Sequence, residues 1–206
     1  MTGEQTSPDC EPSGRHSATQ SAARDAGLVA QIAKREEAAF REVIVEHSPI
    51  LHRIAYRMIG EAQEAEDIVQ EAMLRLWDNA PKLSQNAQGS INLGAWLKRV
   101  TVNLALDRIR LAKRIAGNEV PEQEDGAPLS DARIVESEQV SLARAMITQL
   151  PENQRAAIVL TYYEEMPNSE AAEAMDLNIK AFESLLYRAR TALRNAYEAH
   201  EQGDAR

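Results

Sequence analysis

Apolar residues recur along most of this chain at the three-to-four-residue interval of a helix buried on one face, and no stretch alternates as a strand would. The first stripe opens near Ala26 with Leu28, Val29 and Ile32 and continues through Phe40, Val43 and Ile44. Ser48-Pro49 reads as a stop and restart, with Ser48 as N-cap and Pro49 as first helical residue. The next helix carries Ile50, Leu51, Ile54, Ala55, Met58 and Ile59 and closes at Gly60, which is suited to a left-handed C-terminal residue. Residues 62–79 follow at once. Glu64, Glu66 and Asp67 lie near the positive end of that helix dipole, and Ala65, Ile68, Val69, Ala72, Leu76 and Trp77 form its buried stripe. Pro81 is predicted to end it, leaving residues 81–93 as a polar loop.

Gly94 or Ala95 then opens a helix of a different kind. Its apolar stripe is Leu97, Val100, Thr101, Leu104 and Leu111. The rest of the cylinder holds Lys98, Arg99, Arg108, Arg110, Lys113 and Arg114 against one carboxylate, Asp107. Residues 117–132 break the pattern with two prolines, two glycines, five carboxylates and no basic side chain, which marks a linker. Helical signals resume from about Arg133 to Gln149, and Pro151 starts another helix. Asn168 reads as the cap of a short helix over residues 169–175, Asp176-Leu177 as a turn, and Asn178 as the cap of a long helix to about Ala199. A short helix, a tight turn and a longer helix make a helix-turn-helix, with Ala172 small at the crossing. On the longer helix Phe182, Leu186, Ala189 and Leu193 face inward, while Lys180, Ser184, Tyr187, Arg188 and Thr191 face outward. The expected fold is all-α: two small helical domains joined by an acidic linker, the second ending in a helix-turn-helix.

Composition narrows the function. The 206 residues carry a net charge of −9, so basic side chains gathered on one helix stand out, and a polyanion contact explains them as well as a solvated face does. An acidic chain repels bare DNA at long range, so any DNA contact should be weak unless a larger partner presents it. Residues 1–25, rich in Ser, Thr, Gly, Pro and charge, read as a disordered tail. No apolar run approaches the roughly 20 residues that cross a bilayer, and no signal-peptide core opens the sequence. A cytoplasmic protein without membrane insertion is expected. The single cysteine, Cys10, has no partner for a disulfide or a Cys-rich metal site, and no cofactor is expected.

Three stretches, AEDIVQEAMLRLWDN, WLKRVTVNLALDRIR and LPENQRAAIVLTYYEEMPNSEAAEAMDLNIKAFESLLYRARTALR, resemble in order and spacing the extracytoplasmic-function (ECF) sigma factors, which keep only sigma regions 2 and 4. The resemblance covers about residues 26–199. It implies a region 2 domain over residues 26–115, a linker over 116–132 and a region 4 domain over 133–200. It implies docking of Asp67, Gln70 and Glu71 on the β′ clamp helices of core RNA polymerase, with the β flap as a second polymerase contact. Such outward polar groups suit charge-assisted bonds to arginine, although helix solvation also accounts for them. Single-stranded −10 DNA would meet the loop before the basic helix, where Asn86, Gln88, Ser90 and Asn92 can hydrogen-bond base edges, and then Trp96, Lys98, Arg99, Asn103, Arg108 and Arg110. Trp96 suits a wedge at the melted edge or an indole capping the core.

The −35 element would meet Lys180, Ser184, Tyr187, Arg188, Arg190 and Arg194. Here the chain departs from the family's usual pattern. Glu183 and Leu185 stand where basic residues are common, and Asp176 replaces a turn glycine at a position that suits positive φ. The resemblance also implies an anti-sigma factor bound to the apolar helix faces. Two other readings fit the helix-turn-helix: a conventional regulator that binds promoters alone, and a sigma mimic that binds only an anti-sigma partner. An enzyme is disfavoured, because His47 and His52 are spaced off the i,i+4 face of a helical metal pair.

Overall fold

The computed structural model describes residues 14–86, 91–116 and 138–204. All regular structure among them is helical: α1 (Gly14–Ala33), α2 (Glu37–Ile59), α3 (Ala62–Asn86), α4 (Leu93–Ala116), α5 (Glu138–Thr148), α6 (Glu152–Ile158), α7 (Asn168–Ala174) and α8 (Ile179–Asp204). A π-helical turn, Val159–Tyr163, continues α6. The stretch read as an acidic linker and residues 133–137 lie outside the described residues.

Four boundaries differ from the sequence expectation, each for a physical reason. Helix α1 begins at Gly14, within the stretch expected to be disordered. Its C-terminal half is seated in the core by Leu28, Val29 and Ile32, and Arg24 on it bonds Glu42 and Glu46 of α2, both at 2.7 Å, across the exposed side. Pro49 and Pro81 end no helix and lie inside α2 and α3. A proline removes one backbone bond and crowds the preceding turn. In α2, Val43 before Pro49 and Leu51 and Ile54 after it are all fully buried, and this packing on both sides holds the helix through the interruption. In α3, Leu76 and Ala80 are fully buried just ahead of Pro81, so the helix carries Gln85 and Asn86 that were expected in a loop. Asn168 is the first residue of α7 and makes no side-chain cap; Pro167 precedes it.

Other signals play out as read. Gly60 ends α2 at φ 86, and its N–H donates to Tyr56 O at 2.7 Å. Asp176 takes φ 57, and the Asn178 side chain accepts from the Ala181 N–H at 2.9 Å, capping α8.

The core forms two clusters. One joins α1, α2, α3 and the start of α4 through Val29, Ile32, Val43, Leu51, Leu76, Leu93 and Leu97. The other runs without a break from Ile54, Met58 and Ile68 through Val102, Ala105 and Leu106 of α4 to Ile158, Leu160, Phe182 and Leu186. The helices before and after the acidic stretch therefore share apolar packing, and α4 is buried on more than the single expected stripe. Its last residues, 110–115, are exposed, including Leu111 at 44%, because the helix outruns the elements that cover it.

Candidate nucleic-acid and polymerase interface

The start of α4 is held by residues far away in sequence. Asp25 of α1 is buried and accepts the Leu93 N–H at 2.9 Å, while Asn92 accepts the Ala95 N–H at 2.9 Å. Two donors at the helix N-terminus, which no intrahelical carbonyl can reach, are thus satisfied by side chains. Asn92, expected to read bases, has its side-chain oxygen engaged as this cap. Gln88 and Ser90 lie outside the described residues, and Asn86 is exposed at the end of α3. Trp96 is half-buried against the first core cluster. Asp25 carried no sequence signal, because its partner lies 68 residues on.

His47 of α2 packs beside this cap, its Cε1 3.5 Å from where a Cβ on Gly94 would stand. Burial pushes its imidazole below the ordinary value of 6.5, against the pull of Glu46 and Asp25 and with help from Lys98 and Arg24. The folded chain therefore resists a proton that the unfolded chain accepts. Stability present above pH 6.5 is lost as the pH falls through that value toward the folded one, by less than about 1.4 kcal/mol per pH unit. Urea midpoints at pH 7.5 and 5.5 should fall for the wild type and fall less for His47→Gln. An equal drop in both would remove His47 from the account.

Four of the six basic side chains of α4 are already paired. Arg99 bonds Asp176 at 2.8 Å, Arg108 bonds Glu64 at 2.8 Å, and Lys113 bonds Glu152 at 2.7 Å. Arg110 lies 3.6 Å from Asp107 and 3.9 Å from Glu152. Lys98 and Asn103 are half-exposed. The Lys113 ammonium holds the Glu152 carboxyl below its usual range.

On α8 all six candidates are exposed. Lys180, Ser184, Tyr187 and Arg188 are exposed along one face, with Tyr187 at 71% and the Arg188 Nε donating to Ser184 O at 3.4 Å. Arg190 stacks on Tyr162 of the π-helical turn at 5.4 Å, and Arg194 borders an apolar groove with Leu142, Met146, Leu193 and Tyr197. Glu183 is exposed, but Leu185 is buried, so that departure from the family pattern belongs to the core and not to a DNA-facing surface.

On α3, Gln70 is exposed and Asp67 and Glu71 half-exposed, all on the side away from Ile68, Val69 and Ala72. Glu71 pairs with Arg75 one turn on at 2.9 Å. The chain thus presents a polar α3 face, a basic α4 and a capped helix-turn-helix.

Comparison with known proteins gives this arrangement its setting. The family model described as sigma-70 region 2 matches residues 43–115, and that described as sigma-70, region 4 matches residues 141–193. The chain is 31% identical over 178 residues to the ECF RNA polymerase sigma factor SigW of Bacillus subtilis (strain 168), covering 81% of this chain and 92% of that one. Among solved structures, CnrH in complex with the cytosolic domain of CnrY matches with a TM-score of 0.61 and 24% identity, over 85% of this chain and 97% of its own. The sigma factor RpoE in complex with the anti-sigma factor NepR from Bartonella quintana matches at 0.56 and 20%, over 77% and 96%. These two show the shared helical fold. With regions 2 and 4 in order and a relative matched along nearly its whole length, the chain belongs to the ECF RNA polymerase sigma factors.

Proposed function

We propose that this sigma factor docks on core RNA polymerase through the α3 face of Asp67, Gln70 and Glu71 and reads the two promoter elements with separate helices. The basic side chains of α4 track the melted −10 strand, and Lys180, Ser184, Tyr187 and Arg188 of α8 enter the −35 major groove. The observation that carries this reading is the helix-turn-helix itself. Asp176 at φ 57 makes the turn, Asn178 caps α8, and the polar face of α8 stays exposed while Phe182, Leu186 and Ala189 are buried. Recognition helices reach base edges in this manner, from their N-terminal residues. The net charge of −9 explains why the bare chain should hold DNA poorly and need the polymerase to present it. In this reading residues 26–115 form the −10 and polymerase unit, residues 133–200 the −35 unit, and the chain acts in the cytoplasm. An anti-sigma factor is the expected regulator, supported by the NepR complex of the RpoE that shares this fold.

Run-off transcription with core polymerase and a library of promoter fragments tests the proposal. Specific transcripts should appear only when the protein is added, and the purified chain alone should give no promoter footprint. Tight promoter binding without polymerase would favour the conventional regulator, and silence across the library would refute the assignment.

A further inference from the structure

From Ile179 to Tyr197, α8 carries a single acidic residue, Glu183. It stands among the side chains assigned above to the −35 element: three residues after Lys180, next to Ser184 and one turn before Tyr187, all of them exposed as it is. Burial of Phe182, Leu186 and Ala189 fixes which way this side of the helix faces. The Asn178 cap, accepting the Ala181 N–H at 2.9 Å, fixes where the helix starts.

The ordinary structural uses of a helical carboxylate do not account for Glu183. Attraction to the helix dipole fades beyond the first turn, and Glu183 lies past that turn, since α8 begins at Ile179. Among the described residues no ion pair or side-chain hydrogen bond engages it, although Lys180 is placed for an i,i+3 pair. Other carboxylates of the same block are paired: Glu152 with Lys113 at 2.7 Å, Glu164 with Arg57 at 2.6 Å and Asp176 with Arg99 at 2.8 Å.

We infer that Glu183 selects a cytosine in the −35 element, its carboxylate accepting a hydrogen bond from the exocyclic N4 amine in the major groove. A carboxylate brought against a polyanion is repelled at every sequence, and its desolvation is offset only by a donor. The donors in the major groove are the amino groups of cytosine and adenine. Adenine sets its N7 acceptor beside the amine, against the second carboxylate oxygen, whereas the cytosine edge presents no acceptor. Guanine and thymine offer O6, N7 or O4 to a group that can only accept. Lys180 and Arg188 supply attraction to phosphate, which positions the helix without reading sequence. Glu183 then discriminates chiefly by excluding the wrong bases.

Run-off transcription by core polymerase with the full chain, on promoters randomised through the −35 element and read by sequencing the transcripts, tests this. The inference rests on the −35 role proposed for α8, and the wild type tests that role by itself: transcripts with no base preference anywhere in the element would refute the role and the cytosine contact with it. Where preferences exist, the variants isolate Glu183. One position should favour cytosine on the contacted strand by about ten- to hundredfold over guanine or thymine. Glu183→Gln, whose amide both donates and accepts, should reduce that preference to about threefold or less and leave the other positions as they were. Glu183→Lys, a donor only, should turn the same position toward guanine, whose O6 and N7 accept. Circular dichroism checks that both variants keep their helices, and should the lysine variant fail to fold, the isosteric glutamine variant decides. Base preferences unchanged in both variants, or a uniform gain across all promoters without a change of preference, would overturn the inference. So would a responsive position at which the wild type favours adenine, guanine or thymine.

Discussion

Alanine at Asp67, Gln70 and Glu71 together is expected to reduce run-off transcription at limiting core polymerase by about a hundredfold or more while leaving the fold in place. These three side chains share the solvent side of α3, opposite Ile68, Val69, Ala72 and Leu76, which are buried in the core. Their one ion pair among the described residues, Glu71 with Arg75, spans one exposed turn and contributes a few tenths of a kcal/mol. Surface changes of this kind alter stability by about 0.5 kcal/mol or less. At an interface the arithmetic reverses. Truncating one partner of a buried, hydrogen-bonded charge pair costs about 2–5 kcal/mol, and two such carboxylates exceed two decades of affinity. A high excess of core polymerase should partly restore transcripts, which separates lost docking from lost DNA reading. If the triple variant competes equally with wild type for core polymerase, the α3 face is not the docking surface.

How much of this was legible in the sequence depends on the distance over which each feature is determined. Local chemistry was readable: Gly60 as a left-handed stop, Asp176 at positive φ, Asn178 as a cap and the Phe182, Leu186, Ala189 stripe each depend on neighbours within a few residues. The prolines misled because their local cost is real but is overridden by distant packing. Val43 and Leu51 bury fully on either side of Pro49, and the helix continues. The single stripe assigned to α4 failed for a related reason. Val102, Ala105 and Leu106 lie off that stripe and are buried because elements beyond the acidic stretch share their cluster, which one helix's periodicity cannot reveal. Among the candidate site residues, the outward set on α8 follows from the same periodicity that buries Phe182. Arg190 stacks on Tyr162, and Arg194, two turns beyond Tyr187, borders the apolar groove, contacts that basic character alone does not reveal. Asp25 beneath the start of α4 and Glu164 between Arg53 and Arg57 were invisible, because each depends on a partner many tens of residues away.

Phe182→Ala is the substitution expected to cost the most stability, about 3–5 kcal/mol. Phe182 is fully buried, one turn after the Asn178 cap, and its cluster in α6 and α7 is built largely of small side chains: Ala156, Ala157, Ala171, Ala172 and Ala174. Alanines on helix backbones cannot swing into the vacated volume, so the cavity stays open and the cost falls toward the upper end of the range. Against a total stability of about 5–15 kcal/mol, this loosens α7 against α8 under conditions where the wild type is folded. Transcription from a promoter with a strong −35 element should then drop to the level of a template lacking it, while competition for core polymerase through α3 persists. Phe182→Leu, which keeps most of the volume, should cost less than about 1.5 kcal/mol and retain −35 dependence. A urea midpoint for Phe182→Ala within experimental error of the wild type would mean that α8 does not seat on α6 and α7 through this ring, and the placement of its outward face would fall with it.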